Sequence, residues 1–224
     1  MEPITRLRLY LALALSLVSS HAGCASRSAE VKPEQVNPEL RAASGKSAIA
    51  ISDALEALIA IGRDTEQDRR YAYQLVSRRQ VRDAEAAFAR AAVAGRLAQV
   101  SGLGAPSLVK EVEEYARSSM SLARDFRRGA AQRMLGTLYV LAPAIMLEHG
   151  DSETGLELLE QLGQRWPDDP ETRLRLAEAY VALDDAAAAG PHLCFCLAHR
   201  AELRGDDQKL LARLQEDAGL RQCP

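Results

Sequence analysis

Apolar residues recur every three or four positions through most of the chain beyond residue 37, and that spacing predicts helices and little else. Asn37, Pro38 and Glu39 make a helix start: a cap, a proline at the first helical position and an acid at the positive end of the dipole. Ser44 and Gly45 interrupt that helix, Ile51, Leu55, Leu58 and Ile59 resume the stripe, and Gly62 is placed to end it. Thr65 and Asp68 have capping-box spacing ahead of a helix expected to run to Gln80, with Tyr71, Ala72, Leu75 and Val76 as its apolar face. A helix over 83–100 follows. After the breakers Gly102, Gly104 and Pro106 comes another, carrying Leu108, Val112, Tyr115 and Leu122 and ending near Asp125. The next is expected over 129–141, and Asp151 can cap one that reaches Gln164. Trp166 to Pro170 is a turn in which Asp169 caps and Pro170 opens the following helix, and helices over 171–183, 185–203 and 206–218 complete the chain.

Within 132–196 the pattern repeats. Leu135, Gly136 and Tyr139 stand in the order L-G-x-x-Y, and Leu176, Ala177 and Tyr180 follow the same spacing. Gly155, Leu159 and Leu162 align with Ala189, Leu193 and Cys196 at an offset of 34 residues, and Pro167 closes the first copy. These are the core positions, length and closing proline of a tetratricopeptide (TPR) unit, so the fold expected is all-α, a TPR-like array of helical hairpins (an α-solenoid). The clearest repeats are 129–167 and 170–203, and small residues such as Gly136, Ala177 and Ala189 let paired helices approach closely. The first helices are 41 residues apart, so seven extra residues are expected as an enlarged loop at 142–150. Ala84, Phe88 and Ala91 repeat the second-helix spacing, which makes 70–95 a degenerate third copy with Tyr71, Ala72 and Leu75 in its first helix. Two amphipathic hairpins of an ordinary helical bundle would satisfy the same pattern.

The beginning is of another kind. Arg6 and Arg8 precede an apolar run over 9–18, too short to span a bilayer as a helix, and small polar residues lead to Ala22, Gly23 and Cys24. Residues 1–23 are therefore read as a signal peptide. The run into Cys24 resembles a bacterial lipobox, with His21 standing where an aliphatic residue is usual; ordinary secretory cleavage nearby is the alternative. Lipidation of Cys24 would anchor the protein to the membrane without spanning it. Ala25 in place of aspartate after that cysteine resembles outer-membrane sorting, so the expected location is the periplasm, on the outer membrane. Residues 24–36 read as a flexible polar tether and 37–224 as the helical domain.

Without the leader the chain keeps 26 basic and 30 acidic side chains, which gives no reason to expect nucleic-acid binding. No phosphate-binding glycine loop, HExxH or nucleophile elbow occurs, so no enzyme and no cofactor are expected. Glu111, Glu113 and Glu114 read as an acidic surface run, and Arg127, Arg128 and Arg133 as solvated helix ends. His192, Cys196 and His199 share one helical face and could ligate a metal, but Cys196 aligns with the core residue Leu162, so a buried thiol is preferred and no metal is expected. Cys194 and Cys196 diverge on a helix, which makes Cys194 and Cys223 the disulfide candidate; the last helix must then stop near Gly219 and let the tail fold back. Such a bridge would contribute roughly 3 kcal/mol.

One resemblance goes further. L-G-x-x-Y at Leu135 to Tyr139, Ala142 and Pro143 just after it, Gly150 and Asp151 at the end of the loop, Pro167, L-A-E-x-Y at Leu176 to Tyr180 and the lipoprotein start are together similar to the TatT family. These are the T components of tripartite ATP-independent periplasmic (TRAP) transporters. The resemblance implies a lipid-anchored periplasmic protein that assembles as a homo-oligomer, a trimer, associates with a TRAP solute-binding protein and handles apolar small ligands. A general TPR lipoprotein that binds peptides or envelope proteins on its concave face, in outer-membrane assembly or secretion, is the other reading.

Overall fold

A computed structural model describes residues 30–102 and 105–223, so the leader and Cys24 lie outside the described residues. Among the described residues ten α-helices follow one another: α1 (Pro38–Ala43), α2 (Ala48–Ala60), α3 (Glu66–Ser77), α4 (Ala84–Ala98), α5 (Ala105–Leu122), α6 (Ala130–Leu141), α7 (Ser152–Arg165), α8 (Pro170–Ala182), α9 (Ala186–Ala198) and α10 (Gly205–Asp217). There is no strand among the described residues, and the array is a TPR-like α-solenoid. The closest pairings are α4 with α5, α6 with α7 and α8 with α9, so these are the three hairpins.

That pairing corrects the third repeat. α4 packs more extensively on α5 than on α3, so it opens a hairpin where the sequence pattern has it closing one. Its alanines explain the ambiguity: Ala84, Ala87, Ala89, Ala91, Ala92 and Ala94 are all buried, so α4 presents core positions on nearly every face and its spacing has no single phase. α9 is likewise shorter than the expected 185–203. The chain leaves it at Ala198, makes a short 3-10 turn at Arg200–Glu202 and so delivers Leu203 into the core at 4 % exposure.

The domain also begins earlier than expected. Val31 and Val36 are buried in the core formed with α1 to α4, and the Val31 N–H donates to Gln74 Oε1 at 3.1 Å, so 31–36 is packed chain and not tether. Asn37 does stand at the cap of α1, but its side chain turns to Asp68 Oδ2 at 2.7 Å instead of capping. Asp68 is fully buried and also accepts from the Asn37 N–H and from the N–H and hydroxyl of Thr65. These four donors outweigh the effect of burial and hold its carboxyl below the usual range. One aspartate thereby fixes the starts of both α1 and α3.

The α6–α7 hairpin depends on absent side chains. A Cβ on Gly136 would lie 2.8 Å from the Gly155 carbonyl oxygen, and a Cβ on Gly155 would lie 2.7 Å from the Gly136 carbonyl oxygen. The two backbones touch there, and Leu159 fills the space beside them.

The two ends of the array also meet. Arg204, just before α10, donates from Nη1 to Glu56 Oε2 of α2 at 2.7 Å across 148 residues, and Arg96 of α4 holds the same carboxylate with two bonds, at 2.8 and 2.7 Å. Gly205 sits so close beneath α2 that a Cβ there would lie 2.3 Å from the Ala60 carbonyl oxygen. Burial raises the Glu56 pKa, but the hydrogen bonds and charges of Arg96 and Arg204 outweigh it, and the carboxyl titrates below 4.5.

Gly136→Ala and Gly155→Ala should each destabilise the fold by roughly 1–3 kcal/mol despite better helix propensity, because a backbone carbonyl must move. Gly45→Ala, with nothing within 4 Å, should be neutral or slightly stabilising in the same thermal melts. Glu56→Gln should cost about 2 kcal/mol near neutral pH by leaving two guanidinium groups under-partnered. Because the folded Glu56 pKa is depressed, this stabilisation is complete above pH 4.5 and is lost as pH falls through the folded value. The variant should therefore show a shallower acid-side decline than the parent in denaturant titrations at stepped pH.

Candidate binding groove

The inner faces of α2, α4, α6 and α8, with the start of α5 and the segment before α10, enclose a groove of about 1020 Å³. Its lining changes character along α6, from Arg133 near the helix start through Met134, Thr137 and Leu138 to Leu141 at its end. Val109 of α5 and Pro143 and Met146 of the inserted loop continue the apolar part.

The charged part is rich in arginine, yet each arginine has a carboxylate. Arg127 makes a two-pronged pair with Asp53 at 2.6 and 2.7 Å, and Arg133 bonds Asp169 and Glu171. Arg175 bonds Glu178 and Asp207, while Arg96 and Arg204 share Glu56. Arg128 is held most loosely, 3.6 Å from Asp169 with a side chain 63 % exposed. The polar half is thus an internally neutralised network that ties helices together, and the apolar half is where open surface is available. Between them lies Thr137, whose buried hydroxyl has no hydrogen-bond partner among the described residues.

Arg133 is therefore not a solvated helix end, and Arg127, although exposed, is engaged by Asp53, whereas Arg128 is solvated as expected. Arg127, Arg128 and Gly129 take three successive left-handed conformations, with φ of 49°, 53° and 73°. Such a conformation costs roughly 1–2 kcal/mol for each arginine. The Asp53 pair, and Phe88 and Phe126 at 5.9 and 5.3 Å beneath the Arg127 guanidinium, offset that cost.

The inserted loop is built, not slack. It contains a 3-10 turn at Ala144–Met146 and is pinned at its far end by Glu113, which is 2 % exposed. That carboxylate accepts from the Tyr139 hydroxyl at 2.9 Å and from the Glu148 and His149 N–H groups at 2.9 and 2.8 Å. Burial and the bond to Glu113 push the Tyr139 phenol up to about 12. Gly150 lets the loop close over the Tyr139 ring, where a Cβ would come within 2.4 Å. So Glu113 does not belong to a surface run, and Glu111 does not either: its carboxylate accepts from the Tyr73 hydroxyl and pairs with Arg90. With its base held, the loop carries Ile145 outward at 92 % exposure, beyond Leu141 at the end of α6, which is 45 % exposed.

The other residues singled out by pattern lie apart from the groove. Leu135, Gly136, Tyr139, Leu159, Leu162, Leu176, Ala177, Leu193 and Cys196 are buried between helices, and Tyr180 is half-buried against Glu160 and His192. His192 stacks on Tyr180 and lies 3.2 Å from an Arg173 nitrogen; His199 stacks on Phe195 and bonds Glu202. Cys196 is fully buried, with its thiol pushed up to about 12 by burial, and no cluster of metal-binding side chains forms among the described residues. Cys194 and Cys223 are joined in a disulfide, with Cα atoms 5.5 Å apart, after α10 ends and Gly219 turns the chain at φ of 63°. None of the described helices is long and apolar enough to cross a membrane.

Comparison with known proteins agrees with this architecture. Residues 146–191, from the loop through α7 and α8 into α9, match the tetratricopeptide repeat family. No curated protein matches the chain. The chain has a TPR-like fold, and the repeat that its matched segment resembles typically builds non-enzymatic scaffolds that bind other proteins.

Proposed function

We propose that this chain is a lipid-anchored scaffold of the bacterial periplasm, tethered to the outer membrane through Cys24, that holds an apolar segment of a protein partner in its concave groove. The observation that carries the binding role is the division of the groove: the arginines are neutralised from within, while Met134, Leu138, Leu141 and Met146 present apolar surface to the opening. A partner segment gains by burying that surface, at about 25 cal/mol per Å² before ordering costs. The role is non-catalytic, since the titratable groups in the groove are engaged in fold-closing pairs.

A second reading is favoured by the inserted loop at 142–150. Its pinned base and outward Ile145 give the groove a projecting apolar lip that an unmodified TPR hairpin lacks. Together with the TatT-like pattern around it, this supports a T-component-like role, in which the partner is a TRAP solute-binding protein, the assembly is a homotrimer and the apolar half of the groove admits small apolar ligands.

A photo-cross-linking residue placed at Leu138 or Leu141 in cells should capture a partner that one placed at Ile61, which is more exposed but not part of the groove lining, does not. Adding Met134→Glu should abolish that capture. Equal capture from Ile61, or capture indifferent to Met134→Glu, would refute the groove. Recovery of a TRAP solute-binding protein selects the second reading; an assembly or secretion factor selects the first. Labelling with a radioactive fatty acid should mark the chain and not its Cys24→Ser variant, and label retained by that variant would sink the anchor.

A further inference from the structure

The packed domain starts close to the proposed anchor, and its surface at that point has a sign opposite to that of the whole chain. Glu30 lies only six positions after Cys24 and already pairs with Arg78 of the α3 end. Fully extended, six residues reach roughly 20 Å. A domain of this length has a radius of gyration of about 16 Å, so the tether is shorter than the domain is wide. One face is therefore held toward the bilayer: the first described residues, α1 and the C-terminal end of α3.

That face is basic. Lys32, Arg41, Lys46, Arg78 and Arg82 are exposed, and half-buried Arg79 reaches the Ser44 carbonyl at 2.8 Å. Arg41 lies beside the Pro33 carbonyl, which places it next to Lys32. The acids nearby are Glu30, Glu34 and Asp83, and Glu39 is neutralised by Arg63. Cations outnumber acids there although the chain as a whole carries a net charge of −3, and two of its four lysines fall in this patch.

We propose that this face docks on anionic phospholipid headgroups and so orients the anchored domain. Ammonium and guanidinium groups bond phosphodiester oxygens, and each one near an anionic leaflet adds to the attraction. The geometry rests on lipidation of Cys24, but the charge pattern belongs to the domain, so the two are tested separately.

The test uses residues 24–224 carrying Cys24→Ser, in which no lipid can contribute; the buried apolar clusters all lie between Val31 and Leu214, so this chain keeps its whole core. It should bind phosphatidylcholine vesicles containing phosphatidylglycerol about tenfold or more tightly than vesicles without it, and salt should weaken the binding. The triple variant Lys32→Glu, Lys46→Glu, Arg82→Glu should lose the preference. Arg200→Glu, Arg213→Glu, Arg221→Glu, which changes the net charge equally near α10, should retain it. Circular dichroism melts check that both fold, and a Lys32→Gln, Lys46→Gln, Arg82→Gln series repeats the measurement with milder changes. No preference in the parent, or equal loss in both charge-reversed variants, would overturn the proposal. So would displacement by inorganic phosphate at constant ionic strength, which would mark a free-anion site. Absence of fatty-acid label in cells refutes the anchor alone, whereas absence of the vesicle preference refutes the docking surface alone.

Discussion

The carboxylate of Glu56 is the constraint on which the rest of this architecture depends. A helical solenoid is ordinarily one-dimensional, each hairpin touching only its neighbours, with stability close to a sum of local terms. Here Glu56 of α2 accepts from Arg96 of α4 and from Arg204, close to the far end of the chain, so the first and last units share one half-buried charge. Arg96 and Arg204 also share Asp206, and Arg175 reaches Asp207 on the same side. The hairpins are consequently bent around their inner face, and the groove is the space enclosed by that bend. Its width is set by ion pairs between distant segments and not by the repeats alone.

This division of labour explains why a groove so rich in arginine has little unbalanced charge to offer a ligand. A guanidinium committed to a carboxylate holds helices in register, and detaching it for a partner would leave an acid buried and unpaired. What the closed array leaves open is the apolar end, where α6 runs out and the chain makes its extra loop. Glu113 holds that loop from beneath through two backbone N–H groups and Tyr139, so the lip of the groove is as well determined as its floor.

Much of the helical layout was legible in the sequence because its signals are local. Asp151, Asp169 and Asp185 cap the helices that follow them through their own side chains, and Thr65 with Asp68 forms a full capping box. The enlarged loop was legible too, since a change of offset from 34 to 41 residues between aligned copies needs no tertiary knowledge. The pairing of α4 was not, because a run of alanines buries equally well on several faces. The roles of Glu113 and Arg133 were hidden for a different reason. Their partners lie 26 to 39 residues away, and a charged side chain looks solvated until the element that covers it is known. The candidate groove is built of such long-range pairs, so its charged half was the least readable part of the molecule.

The disulfide between Cys194 and Cys223 bears on the closure in a way that its own neighbourhood does not reveal. The covalent loop it makes, spanning 29 positions, contains both Arg204 and Gly205. Whenever thermal motion or a bound partner pulls Arg204 away from Glu56, α10 remains tethered at both ends and cannot diffuse off. The opened contact is then an intramolecular equilibrium at high effective concentration, and reclosure is favoured over fraying of the terminal helix. The groove can thus breathe at its seam without losing the helix that seals it.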